Sequence, residues 1–293
     1  MKMIFIFIDG FGLGEEDKDK NPIYAAKTPN FDYIFNNFKV IPVDASLGIN
    51  GLPQSATGQT ALFTGVNAPK VLGRHLSGQP TQTLKKIINN NSLFKELIDR
   101  GFEVANSNVY RKEYLKKMMD SKNKRYRPSV TSVMSISSGI KLKTVEDYTK
   151  GCGIYHDITG QILAESGYDV DVITPAEAAQ RLKNVSMCND FTLFEHFMTD
   201  IIGHSMDVDK AIQEIQLLDE FLGALIGIID LNEDIIFITS DHGNIEDISV
   251  KTHTFNKVPV IVMGNISRLP DLKLESLLDI TPFIVEIFET GAK

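Results

Sequence analysis

Three short stretches of this 293-residue chain are apolar with no polar alternation: Met3–Ile8, Val258–Met263, and Asp234–Thr239 after its opening aspartate. A strand with one wet face alternates apolar and polar side chains, whereas a strand covered on both faces reads as a continuous apolar run. The pattern predicts strands of a mostly parallel sheet with helices on both sides. Helical periodicity fills the intervals. Ile212, Ile215, Leu218, Leu222, Leu225 and Ile229 recur at helical spacing over Asp209–Ile229, directly before the Asp234 strand. Asn91–Arg100 predicts another helix, stopped at Gly101, with Phe102–Ala105 as the next strand. Helix followed by strand is the half-unit of a doubly wound α/β fold. From 106 to 183 the chain is more polar, partly basic, and broken by Gly151, Gly153 and Gly160. The expected organisation is a core of 1–105 plus 184–293, with 106–183 as a small inserted cap.

The strand-like runs end in residues that bind metals. Asp9 follows the first run, and Asp241-His242 follows the run from Asp234. Adjacent side chains on extended backbone point to opposite sides, so one such pair can serve two ions. Asp200 and His204 stand four residues apart, and His253 lies in Thr252-His253-Thr254. Sites in open α/β sheets collect beyond the carboxyl ends of the strands, which places this set at one sheet edge. Three carboxylates and three imidazoles suit zinc or manganese better than calcium. Two divalent ions, about 3.5–4 Å apart, would have their charge offset by Asp9, Asp200, Asp241 and a bound alkoxide. The hydroxyl comes from Ser55, Thr57 or Thr60, which this reasoning does not separate. Ser55 fits the N-cap of a helix over Ala56–Phe63, where backbone amides favour an anion. No histidine stands beside it in sequence to act as a base. His75, His156 and His196 lack strand-end context and read as ordinary residues. Gly10-Phe11-Gly12-Leu13-Gly14 lacks the spacing of a dinucleotide loop.

Bulk properties narrow the partners. The net charge of -8 argues against a nucleic-acid or membrane-surface binder. Hydrophobic residues at 43% allow a large core, and no stretch approaches the roughly 20 apolar residues of a membrane span. The run at Met3–Ile8 is too short for a signal peptide, and two cysteines, Cys152 and Cys188, are too few for a disulfide framework. A soluble cytoplasmic protein acting on a small phosphorylated metabolite is the expectation. Arg74, Arg111, Arg125 and Arg127 are candidates to hold the rest of the substrate.

Several segments, in chain order, resemble the alkaline phosphatase superfamily, and most closely its cofactor-independent phosphoglycerate mutase and phosphopentomutase branch. They are Ile8-Asp9-Gly10-Phe11-Gly12, Gln54-Ser55-Ala56-Thr57-Gly58, Asp200-Ile201-Ile202-Gly203-His204, Thr239-Ser240-Asp241-His242-Gly243-Asn244-Ile245-Glu246 and His253-Thr254-Phe255-Asn256-Lys257-Val258-Pro259. The resemblance implies an alkaline-phosphatase-like core, two ions, commonly manganese or zinc, and a phosphoserine or phosphothreonine intermediate. Carried over by position, it implies Asp9, Ser55, Asp241 and His242 at one metal and Asp200, His204 and His253 at the other. It also favours Ser55 as nucleophile, because Gly58 follows three residues on. The chain departs from the mutases at Gln59, where they have histidine, and lacks their large phosphotransferase insert with its substrate-holding motif. Ser55-Ala56-Thr57-Gly58 does not match the sulfatase context. A two-metal phosphohydrolase or phosphotransferase is therefore expected, with a phosphomutase as the enzyme alternative and a catalytically silent metal-binding protein as the other.

Overall fold

The computed structural model describes residues 1–120, 122–123, 125–265 and 273–291. Eight strands occur among them: β1 Met3–Ile8, β2 Val40–Val43, β3 Val104–Asn106, β4 Val109–Tyr110, β5 Lys143–Thr144, β6 Phe191–His196, β7 Ile235–Thr239 and β8 Val258–Met263. Six form one sheet in the order β2-β8-β7-β1-β6-β3. β1 pairs in parallel with both β6 and β7, and β3 pairs in parallel with β6. β8 runs antiparallel to β7 and β2 antiparallel to β8. Parallel neighbours need a crossover, which the helices between β3 and β6 supply; β8 instead follows β7 through the loop 240–257 and returns beside it.

β1 shows why its sequence does not alternate. All six residues are buried. Met3, Phe5 and Phe7 enter one core with Phe63, Phe191 and Phe237, while Ile4, Ile6 and Ile8 enter another with Phe194, Leu218 and Leu222. The sheet thus separates two apolar layers. Helices Ser55–Thr64, Gln82–Asn91, Leu93–Asp99 and Ile280–Gly291 cover the first face, and helices Pro29–Asn37, Pro175–Met187 and Val208–Ile228 cover the second. This is the expected mostly parallel α/β architecture, with a mixed edge.

The helix Val208–Ile228 buries Ala211, Ile215, Leu218, Leu222 and Leu225, a seam spaced four and three residues apart, and Ile212 lies beside it. Asp219 on the same helix is also buried; its carboxylate accepts from the amides of Asn30 and Phe31, capping the helix Pro29–Asn37. The region expected as one helix over Asn91–Arg100 is divided at Ser92, whose hydroxyl accepts from Lys95 N and caps Leu93–Asp99. In the stretch 106–183, β4 and β5 form a separate parallel pair. Val130, Val133 and Met134 pack into the first core, and Tyr148, Ile154, Ala178 and Leu182 into the second. No helix among the described residues is long and apolar enough to cross a membrane.

Candidate metal centre

The loops after β1 and β7 meet at the carboxyl edge of the sheet. Asp9 follows β1, its amide held by the carbonyl of His196 at the end of β6. Gly10 must then adopt φ +69°, and a Cβ there would stand 2.9 Å from Asp200 Oδ1, so both the backbone and the close approach require glycine. Asp200 lies in the first turn of the helix Met198–Gly203, and His204 caps that helix one turn later. Asp241 and His242 follow β7, and His253 comes from the loop returning to β8.

His242 Nε2 stands 3.3 Å from Asp9 Oδ1, 3.5 Å from Asp241 Oδ2 and 3.0 Å from Ser55 Oγ. Asp200 Oδ1 lies 3.5 Å from His204 Nε2 and 3.4 Å from His253 Nε2. The two clusters touch: the rings of His242 and His253 stack with centroids 3.7 Å apart. Ligand-type atoms of Asp200, His204 and His253 form one tight group and those of Asp9, Asp200 and His242 another, so Asp200 is common to both; Asp241 adjoins the second through His242.

Two features fit this donor set to divalent cations. The Nδ1 atoms of His204 and His253 each lie 2.8 Å from a backbone carbonyl, of Lys251 and Pro53. A carbonyl only accepts, so each ring carries a proton at Nδ1 and aims its Nε2 inward. Those two Nε2 atoms are 3.1 Å apart, so without a cation one of them carries a proton; burial would lower the His253 pKa but Asp200 raises it, and a bound cation would take that proton's place. Secondly, the buried oxygens Asp9 Oδ1 and Asp241 Oδ2 have no hydrogen-bond partner, and the ion pairs these aspartates make among the described residues are with His242. Burial, and then the charges of Asp241, Asp200 and Glu195, push the Asp9 carboxyl well above its ordinary range. Burial and Asp200 push Asp241 up to about 7. Burial, aided by His253, holds His242 down at about 3, so it is a neutral donor of a lone pair. Burial would also raise Asp200, but hydrogen bonds from His253 and Asn244 prevail and bring it to about 2. A bound cation reverses the repulsion that raises Asp9 and Asp241.

The structure separates the three hydroxyls. Thr60 Oγ1 donates to Ala56 O and Thr57 Oγ1 to Gln54 O, both turned onto their own helix. Only the Ser55 hydroxyl faces the histidines. Two details differ from expectation. Ser55 is the first residue of the helix Ser55–Thr64 rather than its N-cap, which is Gln54, and Ser55 makes no capping bond. A histidine does stand beside it: His242, 187 residues away in sequence, comes into contact because the loop after β7 folds over the helix start.

Sequence reasoning missed the residues that hold this set in place. Gln59, one turn after Ser55, donates to Asp9 Oδ2 at 3.1 Å. Asn244 Nδ2 donates to Asp200 Oδ1 at 2.7 Å. Glu246, almost wholly buried, accepts from the amides of Gly12 (3.0 Å) and Asn244 (2.7 Å), from Asn256 Nδ2 (3.1 Å) and from the Thr254 hydroxyl. The glycines signal it, since a Cβ on Gly12 or Gly243 would lie 2.3 or 2.2 Å from Glu246 Oε1. Glu195, at the end of β6, is buried near the cluster and its carboxyl is raised to about 7 by burial. His75 bonds to Ile49 O, and His196 sits behind the site between His156 O and Glu214.

The family model of the metalloenzyme superfamily matches residues 1–292. The chain belongs to this superfamily. Among curated relatives, the 2,3-bisphosphoglycerate-independent phosphoglycerate mutase of Desulforudis audaxviator (strain MP104C) is 25% identical over 125 residues, covering 39% of this chain and 25% of the relative. The chain thus matches about a quarter of that relative's length. Among solved structures, alkaline phosphatase from the Antarctic bacterium TAB5 superposes with a TM-score of 0.58 at 13% identity, over 99% of this chain and 98% of the other. Leishmania mexicana phosphoglycerate mutase does so with a TM-score of 0.52 at 14% identity, over 98% and 95%. These likenesses show an alkaline-phosphatase-like fold, and membership of the metalloenzyme superfamily implies divalent metal ions.

Proposed function

We propose that this member of the metalloenzyme superfamily is a two-metal phosphohydrolase or phosphotransferase that acts on a small phosphorylated metabolite through a phosphoserine at Ser55. The observation that carries the reading is the Ser55 hydroxyl, 3.0 Å from His242 Nε2, at the start of a helix that faces the carboxylate and imidazole cluster. Asp9, Ser55, Asp241 and His242 would hold one manganese or zinc ion, and Asp200, His204 and His253 the other. When bound, two such ions supply positive charge that favours the ionised serine and offsets the charge on the phosphoryl oxygens. The protein does the positioning. Gln59 orients Asp9 and Asn244 orients Asp200. The Thr57 amide is taken by Leu76 O, which leaves the Ser55 and Ala56 amides as first-turn donors for phosphate. The Ser55 hydroxyl gives its proton to water, Oγ bonds to phosphorus as the ester P–O bond breaks, and the leaving oxygen takes a proton back from water. A water molecule then releases phosphate from the serine, or an alcohol receives the phosphoryl group.

We assign 106–183 the role of covering the site, with 108–111, Tyr114 and 155–156 along the cavity that opens from Ser55. A cytoplasmic location accords with two exposed free cysteines. A phosphomutase is the second reading, favoured by the names of the curated relatives. Ser55→Ala tests the covalent step: turnover of an aryl phosphate should fall by a factor on the order of 10³ or more, with both metals retained by elemental analysis. Wild-type protein quenched during turnover should carry phosphate on the Ser55 peptide. Full activity in the variant, or phosphate only at Thr60, refutes the assignment.

A further inference from the structure

The cavity over Ser55 and Asp9 is far larger than a phosphoryl group requires. Its volume is about 640 Å3, within the range of pockets that enclose a drug-sized molecule. Away from the metal cluster the wall is aromatic and aliphatic, formed by Tyr110, Tyr114, Tyr155, Phe197, Ile162 and Ile201. Tyr110 and Tyr114 lie nearly parallel, at 15° with centroids 6.3 Å apart, and Phe197 stacks on His156 at 4.0 Å. The tyrosine hydroxyls are engaged by the protein: Tyr110 accepts from Ser132 Oγ at 3.3 Å and Tyr114 donates to Arg127 O at 3.4 Å. What these two residues present is therefore mainly ring carbon. The cationic side chain on the wall is Arg111, and the buried Glu195 carboxyl lines the same cavity. Arg111 is the one arginine or lysine among the described residues that line the cavity, and the rest of this wall is dominated by rings and aliphatic carbon.

We propose that this aromatic chamber receives the leaving alcohol, and that the alcohol carries a flat ring system of nucleoside size rather than a three-carbon acid. The inference rests on the phosphotransfer reading for the direction of the phosphate: phosphoryl group at Ser55, ring between the tyrosines and Phe197. A ring stacked on an aromatic side chain gains roughly 1–3 kcal/mol, a factor of about 5–150 in affinity. A glycerol chain offers no face to stack.

Calorimetric titration of the metal-loaded Ser55→Ala protein, which holds substrates without turnover, tests this. Adenosine 5′-phosphate and phenyl phosphate should bind at least about tenfold more tightly than glycerol 3-phosphate or 3-phosphoglycerate. Tyr110→Ala and Tyr114→Ala, built in that background, should each cut the ratio by a factor of about three or more and leave inorganic phosphate affinity unchanged; Tyr110→Phe should preserve the ratio. Equal affinities for adenosine 5′-phosphate and glycerol 3-phosphate overturn the proposal, and so does a ratio that survives loss of both tyrosines. The wild-type ligand ratio needs no variant of the wall, so misfolding of a tyrosine variant does not protect the proposal. Tight ring-dependent binding without phosphate release from any ester by wild-type protein would refute phosphotransfer and leave the chamber standing. Equal binding accompanied by rapid phosphate release would do the reverse.

Discussion

Replacing Glu246 should loosen the metal centre although its carboxylate is assigned to neither ion. Oε2 accepts from the amides of Gly12 and Asn244, and Oε1 from the Thr254 hydroxyl and Asn256 Nδ2. Those donors belong to two loops, the one after β1 and both ends of the loop 240–257. Gly12 lies three residues after Asp9, Asn244 two after His242, and Thr254 next to His253. One buried carboxylate therefore ties together loops carrying four proposed ligands. Glu246→Gln keeps the shape and removes the charge. The amide oxygen should turn to the two backbone donors, which cannot reorient. Each charged hydrogen bond becomes a neutral one, at a cost of about 1 kcal/mol. The Thr254 hydroxyl and Asn256 amide can rotate to accept from the new NH2 group, so that side costs less. The expected loss is about 2 kcal/mol. Glu246→Ala leaves all four donors without an acceptor, at about 1–3 kcal/mol for each that water does not reach, and should lose about 4 kcal/mol or more. Urea unfolding of metal-free protein measures the loss, and competition with a chelator measures metal affinity. For Glu246→Gln, affinity should fall by a factor of about 10–100 as the loops lose their common anchor. Unfolding within about 0.5 kcal/mol of wild type, with unchanged metal affinity, would refute the reasoning.

Gly10→Ala should destabilise the protein by about 2 kcal/mol or more, since it meets both a positive φ and Asp200, and should weaken metal binding in the same titration. His253→Ala should reduce the metal bound at saturation from two ions to one by elemental analysis, because no neighbouring ligand replaces it. Glu195 predicts a pH effect. Its folded-state pKa of about 7 lies above its ordinary value of 4.5, so the folded state binds the proton more tightly. This contribution to stability is fully present below the ordinary value and is lost as pH rises to the folded one. Metal-free wild type should therefore lose up to about 3 kcal/mol between pH 4.5 and 7 from this group, and Glu195→Gln should remove that part of the slope in urea unfolding. An identical slope in the variant would place the effect elsewhere.

The sequence alone determined what each segment buries and where the proposed ligands fall along the chain. Uninterrupted apolar runs at β1, β7 and β8 report two covered faces, because burial is recorded residue by residue. Asp9 and Asp241-His242 are legible as candidate site residues because they stand where buried strands end. Contacts between distant segments are not recorded that way. The direction of β8 follows from the absence of a crossover after β7, and apolar character is the same in either direction. The meeting of Ser55 with His242, of Gln59 with Asp9 and of Glu246 with Gly12 depends on strand order and on the path of each loop. A hydroxyl or amide bonds to whatever the tertiary fold brings within about 3 Å. Neighbours in sequence carry no trace of that distance, so these partners became visible only once the sheet was assembled.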